Sequence, residues 1–161
     1  MDLINYAKQL TDAFETGDDD LIRKYLSPDF RFDSPQLQRP AVADEWLGIS
    51  RLWRVAFPDL RYNFKISVID EKEQVIMFTT KITGTHNGFL DLGDIVPEGM
   101  VVRPTGKRFS LPEENGLVYL RGGKVDRIRV ESNENTGILG ILKQLGIEIP
   151  ISLQQQMGST D

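Results

Sequence analysis

The sequence predicts a single α+β domain in which N-terminal helices cover one face of a curved antiparallel sheet. Apolar residues recur at three- and four-residue spacing over residues 2–15 and again after Pro40, a pattern typical of amphipathic helices. Apolar and polar residues alternate over residues 62–68, and two further strands flank Gly122-Gly123, which suits a hairpin turn. A chain of 161 residues can bury one core, whereas two domains would each be marginal.

Three helices are expected before the main strands. The first covers residues 2–15, and a short second helix ends at the Ser27-Pro28 step, which disfavours helical geometry. A short strand follows over residues 30–33. The third helix ends at Pro58 and carries apolar and aromatic residues on one face: Val42, Trp46, Ile49, Trp53 and Phe57.

The second half of the chain predicts longer strands and one last helix. Alternation predicts a strand buried on one face, with Tyr62, Phe64, Ile66 and Val68 inward, followed by a central strand over residues 75–82. The glycine- and proline-rich residues 84–106 are too many for a hairpin and indicate a lid, an arm or a functional element. We expect one domain over residues 1–146, and a tail over residues 147–161 that is flexible or contacts a neighbouring subunit.

Composition excludes several kinds of chemistry. The chain has no cysteine and one histidine, so we expect no disulfide, no thiolate nucleophile and no metal site. Its net charge is −5, with acids and bases interspersed, so a nucleic-acid partner is not expected. Neither a secretory signal nor a stretch apolar enough to span a membrane is found, so we expect a cytoplasmic protein that does not bind membranes.

Five short strings, in order and rough spacing, resemble those of the SnoaL-like polyketide cyclases of the nuclear transport factor 2-like superfamily. They are Ala56-Phe57-Pro58-Asp59-Leu60, Gly84-Thr85-His86-Asn87-Gly88, Pro104-Thr105-Gly106-Lys107, Gly123-Lys124-Val125 and Leu142-Lys143-Gln144-Leu145-Gly146. The resemblance implies a cone-shaped α+β barrel with an apolar pocket between sheet and helices. It also implies that no cofactor is used, and that homodimers or higher oligomers form through the outer sheet face.

The activity implied by the resemblance is the aldol closure of a polyketide ester, which needs a general base and a hydrogen-bond donor. The resemblance gives His86 a part in this site, and the alternative is a structural histidine that shapes its turn. It implies an aspartate base near the end of the last strand, where this chain has Asn133, and an asparagine cannot accept a proton. Glu131, on the same strand face as Asn133 and Arg129, is then the candidate base if the cavity buries it. Alternatively, residues 127–131 form a solvated strand face and the catalytic carboxylate is absent.

Other side chains are candidates for the pocket. Asp33 and either Glu113 or Glu114 are carboxylates that can face a cavity, although Asp33 next to Ser34-Pro35 also suits a turn. Pro112 interrupts a strand and so indicates an edge or a bulge. With Asp33 and Arg129, the predicted ligand-binding residues are Phe32, Trp53, Phe57, Phe78 and Phe89.

Three functions follow from these residues. The preferred one is a cyclase or isomerase that moves protons on a small hydrophobic carbonyl compound, because His86 and its string are intact. The second is a non-catalytic protein that binds a small hydrophobic ligand, which Asn133 at the aspartate position favours. The third is an epoxide hydrolase of the same superfamily, which needs two carboxylates bridged by an arginine.

Overall fold

The computed structural model describes residues 2–158, with side chains up to residue 155. The helices are α1 (Leu3–Thr16), α2 (Asp19–Arg23), α3 (Ala43–Ala56), α4 (Gly137–Leu145) and α5 (Ile151–Gly158). The strands are β1 (Leu26–Asp33), β2 (Lys65–Asp70), β3 (Val75–Thr80), β4 (Thr83–Thr85), β5 (Leu90–Asp91), β6 (Val101–Val102), β7 (Arg108–Ser110), β8 (Glu114–Arg121) and β9 (Lys124–Val130). This is the predicted α+β arrangement of N-terminal helices and a curved sheet.

The main sheet has five strands in the order β1-β9-β8-β3-β2. Strands β2, β3, β8 and β9 are antiparallel neighbours, whereas the edge strand β1 pairs with β9 in parallel. The predicted hairpin joins β8 to β9, with positive φ at Gly122 and Gly123 (58° and 77°). Both central residues of a tight hairpin of this twist need positive φ, which explains the glycine pair.

Two apolar clusters hold the layers together. In the first, α1, α2 and the N-terminal half of α3 pack on the inner face of the main sheet, with Leu10, Phe30 and Leu47 almost completely buried. In the second, the end of α3 packs with α4, α5 and residues 86–106, which we call the arm. Leu90 and Leu92 of the arm are fully buried there, so the arm is an integral part of the fold. Within residues 2–158, no helix is long and apolar enough to cross a bilayer.

Three elements differ from the sequence expectations. Strand β1 already starts at Leu26, so Ser27-Pro28 lies within the strand; its position at the sheet edge, beside an irregular register, tolerates the missing N–H of proline. In β2 a register shift between Ile66 and Val68 reverses the alternation, so Val68 is 50% exposed instead of inward. The chain after Gly146 contains a helix that was not predicted, α5, and its Leu153 is buried in the second cluster. The last residues, 159–161, lie outside the described part.

The end of α1 gives a test of this packing. Gly17 has a φ of 70°, and an added Cβ would overlap the guanidinium of Arg54, which donates to the carbonyls of Phe14 (3.3 Å) and Glu15 (3.2 Å). A residue with a Cβ pays about 1–2 kcal/mol for a left-handed backbone conformation. We predict that Gly17→Ala lowers the free energy of unfolding by more than this, because the Arg54 guanidinium must also move. Urea unfolding measures this loss. Gly99→Ala is the control, since Gly99 has a φ of 61° and open space around it; equal losses would contradict the prediction.

Candidate functional site

A cavity of about 170 Å³ lies between the inner sheet face and α3. Its walls are largely apolar and aromatic, and its polar groups are few. The aromatic lining residues are Phe14, Phe32, Trp46, Trp53, Tyr62, Phe64 and Phe78. The polar lining residues are Ser34, Gln36, Ser50, Thr80, Glu114 and Ser132. An apolar cavity with a few converging polar groups is the usual form of a small-molecule site.

Glu114 is the one charged side chain among the described residues that line the cavity. As the first residue of β8, it shares the buried strand face with Gly116, Val118 and Leu120. Its carboxylate accepts a hydrogen bond from the hydroxyl of Ser132 at 2.9 Å. No ion pair reaches it among residues 2–155, so this buried acid has no neutralising cation.

Burial raises the pKa of the Glu114 carboxyl above its usual value of 4.5, because a charge in apolar surroundings loses its hydration. Hydrogen bonds from Thr136 and Ser132 partly oppose this rise, since they stabilise the charged form. The hydroxyl of Thr136 accepts from the N–H of Asn133 at 2.9 Å, which leaves its hydrogen for Glu114. The result is a carboxyl that can change protonation closer to neutral pH, as a proton-transfer group requires.

The other polar lining groups fall into two sets. Gln36 is structural, because its amide donates to the carbonyls of Asn133 and Thr136 (both 2.8 Å) and so holds the turn before α4. Tyr62 and Ser50 carry hydroxyls that are paired with each other, and burial raises the pKa of the Tyr62 phenol. That phenol therefore stays protonated at neutral pH and can donate a hydrogen bond to a ligand.

The family model of the SnoaL-like polyketide cyclases matches residues 5–145 of the sequence. The chain belongs to the SnoaL-like polyketide cyclase family. No curated protein matches it significantly.

Solved structures with a similar fold include AclR, a candidate hydroxylase from Streptomyces galilaeus, with a TM-score of 0.64 and 23% identity over 91% of this chain and 96% of that one. IdmH, a candidate polyketide cyclase from Streptomyces antibioticus, has a TM-score of 0.61 and 21% identity over 91% and 100%. A candidate polyketide cyclase from Xanthomonas campestris pv. campestris has a TM-score of 0.65 and 15% identity over 88% and 95%. At these identities the likeness shows a shared fold.

His86 of this SnoaL-like protein lies outside the cavity lining. It is completely buried, and its Nδ1 accepts from the N–H of Thr105 at 3.2 Å and contacts that residue's hydroxyl at 2.9 Å. Its proton therefore belongs on Nε2, which makes no hydrogen bond of ordinary geometry with the described residues. The ring packs edge-on against Phe57, with 5.7 Å between centroids. This geometry agrees with the alternative in which His86 shapes its turn.

The family strings around His86 meet in three dimensions and build a scaffold. The N–H groups of Asn87 and Gly88 both donate to the carbonyl of Ala56, at 3.1 and 3.0 Å. Asp59 accepts from both the N–H and the hydroxyl of Thr85, each at 2.7 Å. The strings resembling the SnoaL-like proteins therefore tie the end of α3 to the turn after β4.

The structure does not bring the predicted catalytic residues together. Glu131 is exposed and lies just past the end of β9, so the burial on which the Glu131 hypothesis depends is not met. Asn133 is also exposed, and its side chain accepts from the N–H of Asn135 at 2.8 Å within a turn. Arg129 is exposed, and Asp33 forms an ion pair with Arg127 instead of entering the cavity.

The predicted aromatic lining is divided among three places. Phe32, Trp53 and Phe78 line the cavity as predicted. Phe57 is fully buried in the second apolar cluster, against Phe109 at 4.8 Å between ring centroids. Phe89 is 57% exposed and lies on the outer side of the molecule. Glu113 is exposed as well, which leaves Glu114 as the carboxylate that enters the site.

Burial of His86 gives a pH test of its structural role. Burial lowers the pKa of His86 below its usual value of 6.5, and the nearby Gly88 backbone partly opposes this. The folded protein therefore favours neutral His86. This preference stabilises the fold above about pH 6.5, and the stabilisation is lost as the pH falls through the pKa that His86 has in the folded protein. We predict that the free energy of unfolding falls between pH 7 and pH 5 by up to about 1.4 kcal/mol per pH unit more in the wild type than in His86→Asn. Urea unfolding at several pH values measures both slopes, and parallel slopes would contradict the prediction.

Proposed function

We propose that this protein is a cyclase or isomerase that transfers protons on a small, largely apolar carbonyl compound, with Glu114 as the acid/base group. The observation that carries the proposal is the buried Glu114 carboxyl, which has no cation partner among the described residues and lies in a largely apolar cavity. Membership of the SnoaL-like polyketide cyclase family supports this class of chemistry. The proposal replaces Glu131 and His86, which the sequence favoured, with a residue that the cavity contains.

Glu114 would act in two steps. Its carboxylate removes a proton from the carbon next to the substrate carbonyl, and the C–H electron pair moves to form an enolate. Hydroxyls of the lining, with Tyr62 foremost, would donate to the enolate oxygen, where negative charge develops. Either Glu114 then returns the proton to a different position of the conjugated anion, which completes an isomerisation, or the enolate carbon attacks a second carbonyl. In the second case a C–C bond forms and Glu114 protonates the resulting alkoxide.

The raised pKa of Glu114 suits this task. A general base is most effective when its pKa lies near the working pH, because it is then both available in the basic form and strong enough to accept the proton. The cavity volume also restricts the substrate. At about 170 Å³ the cavity is close in size to an engineered cavity of about 150 Å³ that holds one benzene ring. The reacting part of the substrate is therefore about one ring in size.

Two other functions have less support. An epoxide hydrolase needs two carboxylates and an arginine around a water, whereas the described cavity lining has one carboxylate and no arginine. A protein that only binds a hydrophobic ligand would use the same cavity, and proton exchange distinguishes it from an enzyme.

Proton exchange can be measured without knowing the natural substrate. We predict that the protein catalyses replacement of the methyl hydrogens of acetophenone by deuterium in D₂O, followed by proton NMR. Glu114→Gln should lower the catalysed rate at least about 100-fold, the usual contribution of a general base. Glu113→Gln is the matched control, because Glu113 is the neighbouring exposed carboxylate.

Equal loss in the two variants would contradict the role of Glu114. Binding of acetophenone with no catalysed exchange in the wild type would overturn the enzyme proposal in favour of a binding protein.

Ser132 gives a test of the pKa argument. Its hydroxyl stabilises the charged form of Glu114, so Ser132→Ala should raise the pKa of Glu114 further. Exchange needs the carboxylate, so the rate should rise with pH, and in Ser132→Ala that rise should move to higher pH. The control is Ser67→Ala, at an exposed position outside the cavity. A shift to lower pH in Ser132→Ala would contradict the assignment.

A further inference from the structure

A second, larger concavity of about 1070 Å³ lies on the outer side of α3, and we call it the outer groove. Its walls are the solvent-facing side of α3, residues 36–41, residues 89–97 of the arm, and the start of α5. The arm and α5 that form this groove belong to the second apolar cluster, so the groove is part of the folded domain.

The outer groove adjoins the cavity. Gln36, Leu37, Ile49 and Ile95 line both concavities, so the two spaces meet at these side chains. Ile49 belongs to α3 and Ile95 to the arm, and both are only partly buried. The groove therefore lies directly beside the cavity that contains Glu114.

The outer groove contains two large apolar side chains that are exposed to solvent. Val55 on α3 is 62% exposed and Phe89 on the arm is 57% exposed, and both line the groove. Exposed apolar side chains clustered in a concavity, unlike scattered ones, usually mark a binding surface. These residues suit contact with an apolar chain.

Both arginines that line the groove form ion pairs, whereas two of its carboxylates form none with the described residues. Arg39 is held by Glu45 at 2.6 Å, and Arg51 is held by Asp19. Asp91 and Asp94, on the arm side, form no ion pair with any described residue. The groove therefore leaves two carboxylates without a cation partner and should repel an anionic ligand.

We infer that the outer groove holds the non-reacting part of the substrate, an inference that rests on the proposed function of the cavity. The substrate class is a ketone with a head of about one ring, which fills the cavity, and an extended apolar arm, which lies in the groove. The far end of that arm is neutral or cationic and is not a free carboxylate.

Three phenyl ketones test this division: acetophenone, heptanophenone and 7-oxo-7-phenylheptanoate. The two tryptophans of the chain, Trp46 and Trp53, both line the cavity, so quenching of their fluorescence reports binding of the shared head. Full burial of a methylene gains about fourfold in affinity, and half-burial in an open groove about twofold. Over five methylenes, heptanophenone should bind about 30-fold more tightly than acetophenone, whereas the carboxylate should lose most of this gain.

A variant of the groove wall tests whether this gain in affinity comes from the groove. Val55→Asp should reduce the affinity ratio of heptanophenone to acetophenone to about one-tenth of the wild-type ratio, because it replaces apolar contact by a charge. Val68→Asp is the matched control, since Val68 is 50% exposed on β2 and lines neither concavity. The ratio should keep its wild-type value in Val68→Asp.

The outcomes separate this inference from the proposed function. An affinity independent of chain length, or an equal loss in the two variants, would overturn the groove assignment even if acetophenone exchange depends on Glu114. A length-dependent affinity that Val55→Asp abolishes supports ligand binding in the groove even if no exchange is catalysed. In that case only the proposed proton-transfer chemistry is overturned.

Discussion

The cavity depends on the junction between the end of α3 and the turn after β4. The carbonyl of Ala56 would lack a partner inside the helix, and the N–H groups of Asn87 and Gly88 supply two. Gly88 has no room for a side chain there, because an added Cβ would overlap the carbonyl of Val55. Asp59 adds two hydrogen bonds to Thr85. These contacts hold α3 across the sheet, so that its aromatic face forms one wall of the cavity.

The opposite wall brings a carboxyl into this apolar space. The inward face of β8 begins with Glu114, and the fold buries it with two hydroxyl donors and, within residues 2–155, no cation partner. Burying a charge in this way costs stability, and the cost decreases when the group takes up a proton. The same arrangement that is unfavourable for folding therefore favours proton exchange with a ligand. Glu131, which is exposed just past the end of β9, has no comparable environment.

Periodicity was sufficient to predict helices α1 to α4, the hairpin at Gly122-Gly123 and the α+β class, because those features follow from local pattern. Val68 was placed on the wrong face because the irregular register of β2 is set by its partner strand. His86 was assigned through a resemblance, and periodicity gave no sign that its side chain would be buried against Thr105 and Phe57, outside the cavity lining. The signal for Glu114 was present: an acid on the buried phase of a strand, directly after the break at Pro112. Choosing it over Glu113 and Glu131 requires the strand register, which the sequence alone does not determine.

The central claim is that Glu114 is a cavity carboxyl with a raised pKa that interacts with the ligand. Carbon-13 NMR of protein labelled at the glutamate side-chain carboxyls measures this directly, with Glu114→Gln assigning the resonance. The account predicts that this resonance titrates above the usual value of 4.5 and shifts when acetophenone is added. A Glu114 carboxyl that titrates at or below that value, with no response to acetophenone, would contradict it.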